Sequence, residues 1–305
     1  MSAAAPGDLS RRFLDPAVVS RLSGLDLKAR LVVEGFISGL HRSPFHGFSV
    51  EFVEHRPYMP GDPLKSVDWK VYGKSDRFYV KQYEDETNLR AHLVLDHSAS
   101  MGYVSRPGEV SKLEYARSLA AALAYLMLHQ QDGVGLLTFA EKVERFVPAR
   151  ARRSHLEVLL RELDQVRPGG RTALPASLHH LAERIRRRGL VVLFSDLLAP
   201  PDEVLSGLAH FRHRQHEVLV FHIMDPAEWE FDFDQPATFV DSETGEEVAL
   251  EPWEVRGGYK QRLDAWSERY RTECRRARID YVALDTRTPY DQALYRYLEK
   301  RRRLH

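Results

Sequence analysis

The spacing of apolar positions changes near residue 89. Before it, residues 22–40 carry a short helical period. Apolar and polar side chains then alternate over Phe48, Val50 and Phe52, and again over Phe78 and Val80. A period of two marks strands buried on one face, and Pro60-Gly61-Asp62 between the two runs is turn chemistry. Residues 1–88 therefore read as a helical and β-rich accessory region with antiparallel pairing.

From residue 89 onward strands and helices alternate. "AHLVLD", "VGLLTFA", "LVVLFSD", "HEVLVFHIMD" and "IDYVALD" are short apolar runs of the kind that fill strands covered on both faces, and "VERFVPA" reads as a shorter edge strand. "SKLEYARSLAAALAYLMLHQ" predicts a helix with Ser111 and Glu114 as a capping box and an apolar stripe at Leu113, Ala116, Leu119, Leu123 and Leu126. "SHLEVLLRELDQV", "DEVLSGLAHFRHR" and "YDQALYRYLEKRRR" are further helices. "LPASLHHLAERIRRRG" is another, with Pro175 near its start and Gly189 past its end. A long helix runs from about Val255 to Ala277, preceded at about 231–252 by a β-hairpin turning at Thr244-Gly245. The alternation predicts an α/β fold over 89–305: a doubly wound, mostly parallel sheet with helices on both faces and one hairpin insertion.

Composition narrows the function classes. At 305 residues, with 43% hydrophobic and 29% charged positions, the chain can bury one large core or two modest ones. Lys plus Arg and Asp plus Glu are both 44, so no net charge draws the chain to nucleic acid or acidic membrane. The single cysteine, Cys274, excludes an internal disulfide and a cysteine zinc cage, and in "RYRTECRRAR" it reads as a small half-buried residue. "MSAAAPGDLSRRFLDP" lacks the apolar core of a signal peptide, and no run approaches the roughly 18 apolar residues of a membrane span. A soluble cytoplasmic protein is the expectation.

In a doubly wound sheet, sites lie beyond the carboxyl ends of the strands, near the point where strand order reverses. Three loops so placed carry chemistry. One strand ends in Asp96, with Ser98 and Ser100 at alternate positions; Thr172 follows Gly169-Gly170; another strand ends in Ser195-Asp196. Alone, the D-x-S-x-S pattern fits a polar turn, a nucleophile with helpers or half of a metal site. Together the loops offer only oxygen donors, which suit Mg2+ or Mn2+ with retained waters better than zinc or copper. Two Asp balance a divalent ion and hydroxyls add no charge, so such an ion could still accept a partner's carboxylate. A site with three or four carboxylates would be a poor acceptor.

Asp96, Ser98 and Ser100 in "DHSAS", Thr172 after its Gly pair and Asp196 after an apolar strand resemble the metal-ion-dependent adhesion site of von Willebrand factor A domains. Ahead of them, Arg56, Tyr58, Gly61 and Asp62 in R-x-Y-x-P-G-D, Asp68-Trp69, and later "FVDSETGEEV" and "YLEKRR", resemble a bacterial domain-of-unknown-function family, number 58, from about Gly35 onward. That resemblance implies a non-enzymatic, metal-dependent adaptor. It would hold Mg2+, with Mn2+ or Ca2+ as substitutes, through Asp96, Ser98, Ser100, Thr172 and Asp196. It would act beside a MoxR-type AAA+ ATPase in chaperone-like remodelling or maturation, capturing an acidic side chain of the ATPase or its client.

Plainer roles compete at each position. Asp96 and Asp196 also suit helix N-caps. Arg56, Tyr58, Gly61, Asp62, Asp68 and Trp69 read best as structure: a tight turn, a core-filling indole, and Arg56 paired with Asp62 or Asp68. A partner-binding face is the alternative. His210, His213 and His216 drift around a helix and do not converge on a metal, and the runs "ARARRSH", "RIRRRG" and "EKRRRLH" suit helix ends. No G-x-S-x-G elbow and no G-x-x-x-x-G-K-[ST] loop is present. An Asp96-nucleophile phosphatase would need a nearby Lys and a second acid, neither evident in these loops, although His97 lies within the first. The expectation is therefore not an enzyme. An RNA-associated scaffold using the basic helix ends and a metal-dependent phosphohydrolase are the alternatives.

Overall fold

The structure, a computed structural model, describes residues 15–40, 55–57, 79–81 and 89–302. Two helices come first, α1 (Pro16–Ser20) and α2 (Leu25–Leu40), followed by strands β1 (His55–Pro57) and β2 (Tyr79–Lys81). These strands pair antiparallel with Arg56 opposite Val80, the pairing sense expected of this region. Tyr58, Gly61, Asp62, Asp68 and Trp69, and the alternating run Phe48 to Phe52, lie outside the described residues.

The remaining elements follow in the expected alternation: β3 (Arg90–Asp96), α3 (Lys112–His129), β4 (Gly133–Phe139), β5 (Val143–Arg150), α4 (His155–Gln165), α5 (Leu174–Arg184), β6 (Leu190–Ser195), α6 (Pro201–His213), β7 (Glu217–Met224), α7 (Pro226–Glu230), β8 (Ala237–Val240), β9 (Glu247–Leu250), α8 (Pro252–Arg276), β10 (Asp280–Asp285) and α9 (Tyr290–Arg302). Six strands form one sheet in the order β10-β7-β6-β3-β4-β5. All neighbours are parallel except the edge strand β5, which runs antiparallel to β4. Counted within the sheet this is the 3-2-1-4-5-6 doubly wound order, in the von Willebrand factor A-type form with its third strand reversed.

The sheet divides the core in two. Leu93 and Leu95 of β3 face a layer containing α2, α3 and α9, while Val94 faces α5, α6 and α8. Alternate side chains of a buried strand point to opposite faces, so an apolar run with no polar break is what this arrangement requires. Helix α3 is buried all round and not along one stripe: 14 of its 18 residues are inaccessible, because α2 covers the side away from the sheet. Leu25, Ala29, Val32, Val33 and Phe36 of α2 belong to this same core, and Lys28 reaches Glu114 at 2.8 Å. That pairing leaves the expected capping box half made, since Ser111 Oγ accepts from the Glu114 amide at 3.2 Å while the Glu114 carboxylate turns to Lys28.

Other expectations are corrected. Helix α5 stops at Arg184, because the next residue, Ile185, becomes extended and enters the core. Gly189 is therefore not its stop signal. A Cβ there would sit 2.1 Å from the Arg90 carbonyl oxygen, so glycine is needed for β6 to start against β3. Cys274 is fully buried on α8, not half-buried, and burial pushes its thiol up to about 12. Arg152 and Arg153 precede the N-terminus of α4, where the helix dipole gives a cation no support, and both are exposed. His210 pairs with Glu183, His213 is exposed, and buried His216 contacts the Ile185 carbonyl, so the three imidazoles do not converge. Among the described residues no helix is long and apolar enough to cross a membrane.

Candidate metal centre at the strand ends

Strand order reverses between β3 and β6. Asp96 is the last residue of β3, and Asp196 directly follows β6, so the two carboxylates flank the crevice where this topology places ligands. Both are buried, at 0% and 1% exposure. Asp96 Oδ1 accepts the Ser98 amide at 3.0 Å and Oδ2 accepts the Ser195 hydroxyl at 2.7 Å. The Ser98 and Ser100 hydroxyls lie 3.1 Å apart, Ser98 just before and Ser100 within a 3-10 turn, Ala99–Gly102, that follows the strand. Asp196 Oδ1 receives the Leu198 amide at 3.4 Å, closing an Asx turn over Leu197, whose φ is +55°.

Thr172 arrives from the loop before α5, and backbone hydrogen bonds stitch this loop to the others. The Gly169 amide donates to the His97 carbonyl, the Ala99 amide to Gly170 and the Ala173 amide to Ala140, each at 3.0 Å. Gly170 holds φ +74°, a conformation glycine adopts freely. All five sequence-derived positions, Asp96, Ser98, Ser100, Thr172 and Asp196, therefore stand on three interlocked loops at one end of the sheet.

Three further charged residues enter the same region and were missed in the sequence. Lys112 is fully buried at the start of α3, with Nζ 2.9 Å from Asp196 Oδ2 and 2.7 Å from Glu228 Oε1. Glu228 is held by a capping box on α7, in which its second oxygen accepts the Asp225 amide at 2.7 Å. Glu243, in the β8–β9 turn, accepts the Thr172 amide at 2.9 Å. A signal for Lys112 was present: a lysine in the first turn of an apolar helix opposes the dipole and needs anions nearby. Glu228 could have been found from D-P-A-E after a strand, whereas no local pattern marks Glu243.

The electrostatics follow from burial. Burial raises the Asp96 carboxyl and the neighbouring Asp196 raises it further, against hydrogen bonds from Ser195 and Ser98. Burial also works against ionised Asp196, but Lys112 outweighs it and holds that carboxyl below the usual range. Lys112 itself loses solvation, which Asp196 and Glu228 more than offset, so its ammonium titrates above its ordinary value. Thr172 Oγ1 is buried with no hydrogen-bond partner among the described residues.

That donor set fits a hard divalent cation. It contains oxygen only, and among the described residues no group of three or more His, Cys, Asp or Glu gathers as a metal cluster. The Thr172 hydroxyl oxygen is buried and unpartnered among the described residues, on a loop hydrogen-bonded to the one that follows Asp96, and a cation would satisfy it. The lysine expected to be missing from the region is present, but it is locked between two carboxylates. Neither ring nitrogen of His97 hydrogen-bonds a hydroxyl, and Nε2 instead lies 3.5 Å from Glu144.

An uncharacterized protein of Mycobacterium tuberculosis is 30% identical over 245 residues, covering 78% of this chain and 75% of its own length, and one of Mycobacterium bovis matches equally. Among solved structures, the conserved hypothetical protein BatB from Bacteroides thetaiotaomicron is 16% identical, with a TM-score of 0.46 over 70% of this chain and 98% of its own. The family model described as "Protein of unknown function DUF58" matches residues 54–269, a narrower span than the stretch from Gly35 through Tyr297–Arg302 that the motifs suggested. With that match over most of its length and relatives at this identity, the chain belongs to the DUF58 family.

Proposed function

We propose that this protein is a non-enzymatic, metal-dependent protein-binding adaptor acting in the cytoplasm. Asp96, Ser98, Ser100, Thr172 and Asp196 would hold one Mg2+, some of them through water, with Mn2+ or Ca2+ able to substitute. When bound, the ion supplies a positive centre that can accept a carboxylate oxygen from another protein. The chain's own residues do the rest: interlocked loops fix the donors, and Lys112 orients Asp196 by occupying one of its oxygens.

The observation that carries this reading is the buried, oxygen-only cradle at the strand-order reversal, with Thr172 Oγ1 left unpartnered inside it. The partner that the family resemblance suggests is a MoxR-type AAA+ ATPase or its client, engaged through an acidic side chain during remodelling or maturation. The test is binding of a purified MoxR-type ATPase to the full chain in Mg2+ and in EDTA, beside Asp96→Ala and Ser98→Ala. Binding that needs Mg2+ and is lost in both variants supports the adhesion role. Equal binding in EDTA by all three proteins would overturn it.

Lys112 gives the phosphohydrolase alternative the lysine it lacked. Yet Lys112 is neutralised by Asp196 and Glu228, so its ammonium is not free to act on a phosphate. Phosphate-ester turnover that disappears in Asp96→Asn would reverse this preference.

A further inference from the structure

The end of the sheet opposite Asp96 and Asp196 carries charge that the fold leaves uncompensated. Over the whole chain basic and acidic residues cancel at 44 each, yet they are not evenly spread. Arg150, Arg152 and Arg153 lie at the end of β5 and in the connection to α4, and Arg186, Arg187 and Arg188 lie in the connection from α5 to β6. Strand pairing brings these two runs to one end of the molecule. Arg150 stands opposite Val134, Gly133 opposite Arg90, and Ala91 opposite Leu190. A Cβ on Gly133 would lie 3.8 Å from both the Arg150 carbonyl carbon and Arg90 Cγ, and one on Gly189 would lie 3.3 Å from Arg90 Cβ. With neighbouring strands about 4.8 Å apart, the three steps from β6 to β5 span about 14 Å.

All six arginines are exposed, and none has an ion pair or a side-chain hydrogen bond among the described residues. Neither connection contains an acid. Asp132, Glu183 and Glu217, at this end of the sheet, are already paired: Asp132 with Arg301 at 2.9 Å, Glu183 with His210 at 3.0 Å, and Glu217 with Arg212 and Lys300 at 2.8 and 2.7 Å. Glu157, in the first turn of α4, can offset one of the six at most. Helix dipoles do not account for the set. Arg152 and Arg153 precede the N-terminus of α4, and Arg186 to Arg188 follow the extended Ile185, past the last turn of α5 where the dipole acts.

We infer that this end of the sheet is a docking surface for a nucleic-acid duplex, held by its phosphates. Every cation in the two runs is an arginine, whose planar fork meets phosphate oxygens with two parallel hydrogen bonds. A duplex carries one charge per about 1.7 Å of its axis, so a basic surface about 14 Å across faces several phosphates at once. Lipid phosphates would suit the same forks, but elements that lie on membranes add Trp, Phe or Leu to their basic face. The only large apolar residue in "ARARRS" and "IRRRG" is Ile185, and it is buried in the core. Nor does either run carry an aromatic ring on which an unpaired base could stack, so the contact is with the backbone and reads no sequence. The surface lies at the far end of the sheet from the candidate metal centre, and the inference is independent of any metal there.

The test is fluorescence anisotropy of labelled RNA and DNA duplexes of equal length with the full chain, in EDTA so that no divalent ion contributes. Phosphatidylserine vesicles serve as the competing polyanion. For wild type the logarithm of the association constant should fall linearly with that of salt between about 50 and 200 mM, by about 0.9 for each phosphate engaged. The double substitution Arg152→Ala with Arg153→Ala should weaken binding of duplexes of any sequence alike and reduce that slope by about two, and the triple substitution at Arg186, Arg187 and Arg188 by about three. A control, Arg106→Ala with Lys142→Ala, removes two exposed charges from loops at the opposite end of the sheet and should change neither affinity nor slope. The substituted positions are exposed, so thermal midpoints should match wild type and exclude misfolding as the cause of a loss. Absence of duplex binding at about 50 mM salt would overturn the inference. So would a control that flattens the slope as much as the arginine variants, or binding to the vesicles with neither duplex bound.

Discussion

Lys112 Nζ lies 2.9 Å from Asp196 Oδ2, and both side chains are almost completely removed from solvent. Glu228 closes the other side of the ammonium at 2.7 Å, so the first turn of α3 is anchored to the loop after β6 and to α7. One ion-pair cluster thus ties the candidate ligand Asp196 to the most buried helix of the fold.

Breaking that cluster from the lysine side leaves two acids in a buried site without their cation. Loss of one partner of a buried pair costs about 3–5 kcal/mol, so Lys112→Met should be destabilised on that scale in denaturant unfolding without divalent ions. Adding Asp196→Asn to Lys112→Met should recover part of the loss, because one of the two acids left without a cation is removed with its partner. Strictly additive costs in this double-mutant cycle would mean that the two groups are not coupled.

Asp96 offers the opposite balance. It is a buried carboxylate beside a second one, so its charge opposes folding unless a cation is present. Asp96→Asn keeps an acceptor for the Ser98 amide, and the Ser195 hydroxyl can rotate to meet the new amide. Its thermal midpoint in EDTA should equal or exceed that of wild type, while the Mg2+-dependent rise disappears. For wild type that rise corresponds to about 2.7 kcal/mol at one hundred times the dissociation constant. Asp96→Ala should instead fall below wild type in EDTA by about 1–3 kcal/mol, because two donors lose their acceptor. Mg2+ stabilisation retained by Asp96→Asn would remove Asp96 from the ligand set.

The legible parts of this protein were those set by local chemistry. Apolar runs such as Leu93-Val94-Leu95 announced the strands, Gly245 announced the hairpin turn, and the residues after β3 and β6 announced the loops of the candidate site. What escaped reading depended on long-range contact. Burial of α3 all round requires α2, which stands more than seventy residues earlier. The end of α5 was obscured because Ile185 obeys the core and not the helical period. Glu243 lies seventy-one residues from Thr172, and nothing in "DSETGE" says which loop it will meet. Lys112 was legible in principle, as a cation where the helix dipole disfavours one.

The early helix is the next point at which stability should be sensitive. Phe36 is 3% exposed and shares a core with α3 and α9, although it lies within the region that reads as accessory. Burial of this kind predicts a loss of about 3–5 kcal/mol for Phe36→Ala, against a few tenths for exposed Glu34→Ala. Urea unfolding with an unchanged slope and a lowered midpoint would confirm that α2 belongs to the cooperative unit. A Phe36→Ala protein with a wild-type midpoint would show that α2 folds separately.

Acid should destabilise the fold through two buried histidines. Burial lowers His92 to about 4, with His216 and Arg90 adding to the effect. Burial likewise lowers His222 to about 4, against the pull of Asp196, and its Nδ1 sits 2.5 Å from the Tyr281 hydroxyl. In the unfolded chain each imidazole titrates near 6.5, so from that pH downward the unfolded state takes up protons that the native state refuses. Their contribution to stability is therefore complete above about pH 6.5 and is lost progressively as pH falls toward 4. A depression of about 2.5 pH units corresponds to about 3 kcal/mol for each ring at the lower limit. His92 Nδ1 has no hydrogen-bond partner among the described residues, so His92→Leu can remove the titration without breaking a bond there. Denaturant midpoints measured at intervals from pH 7.5 to 4.5 should fall less steeply for His92→Leu than for wild type, the two curves separating only below about pH 6.5. Parallel curves throughout that range would show that His92 is not held neutral by the fold.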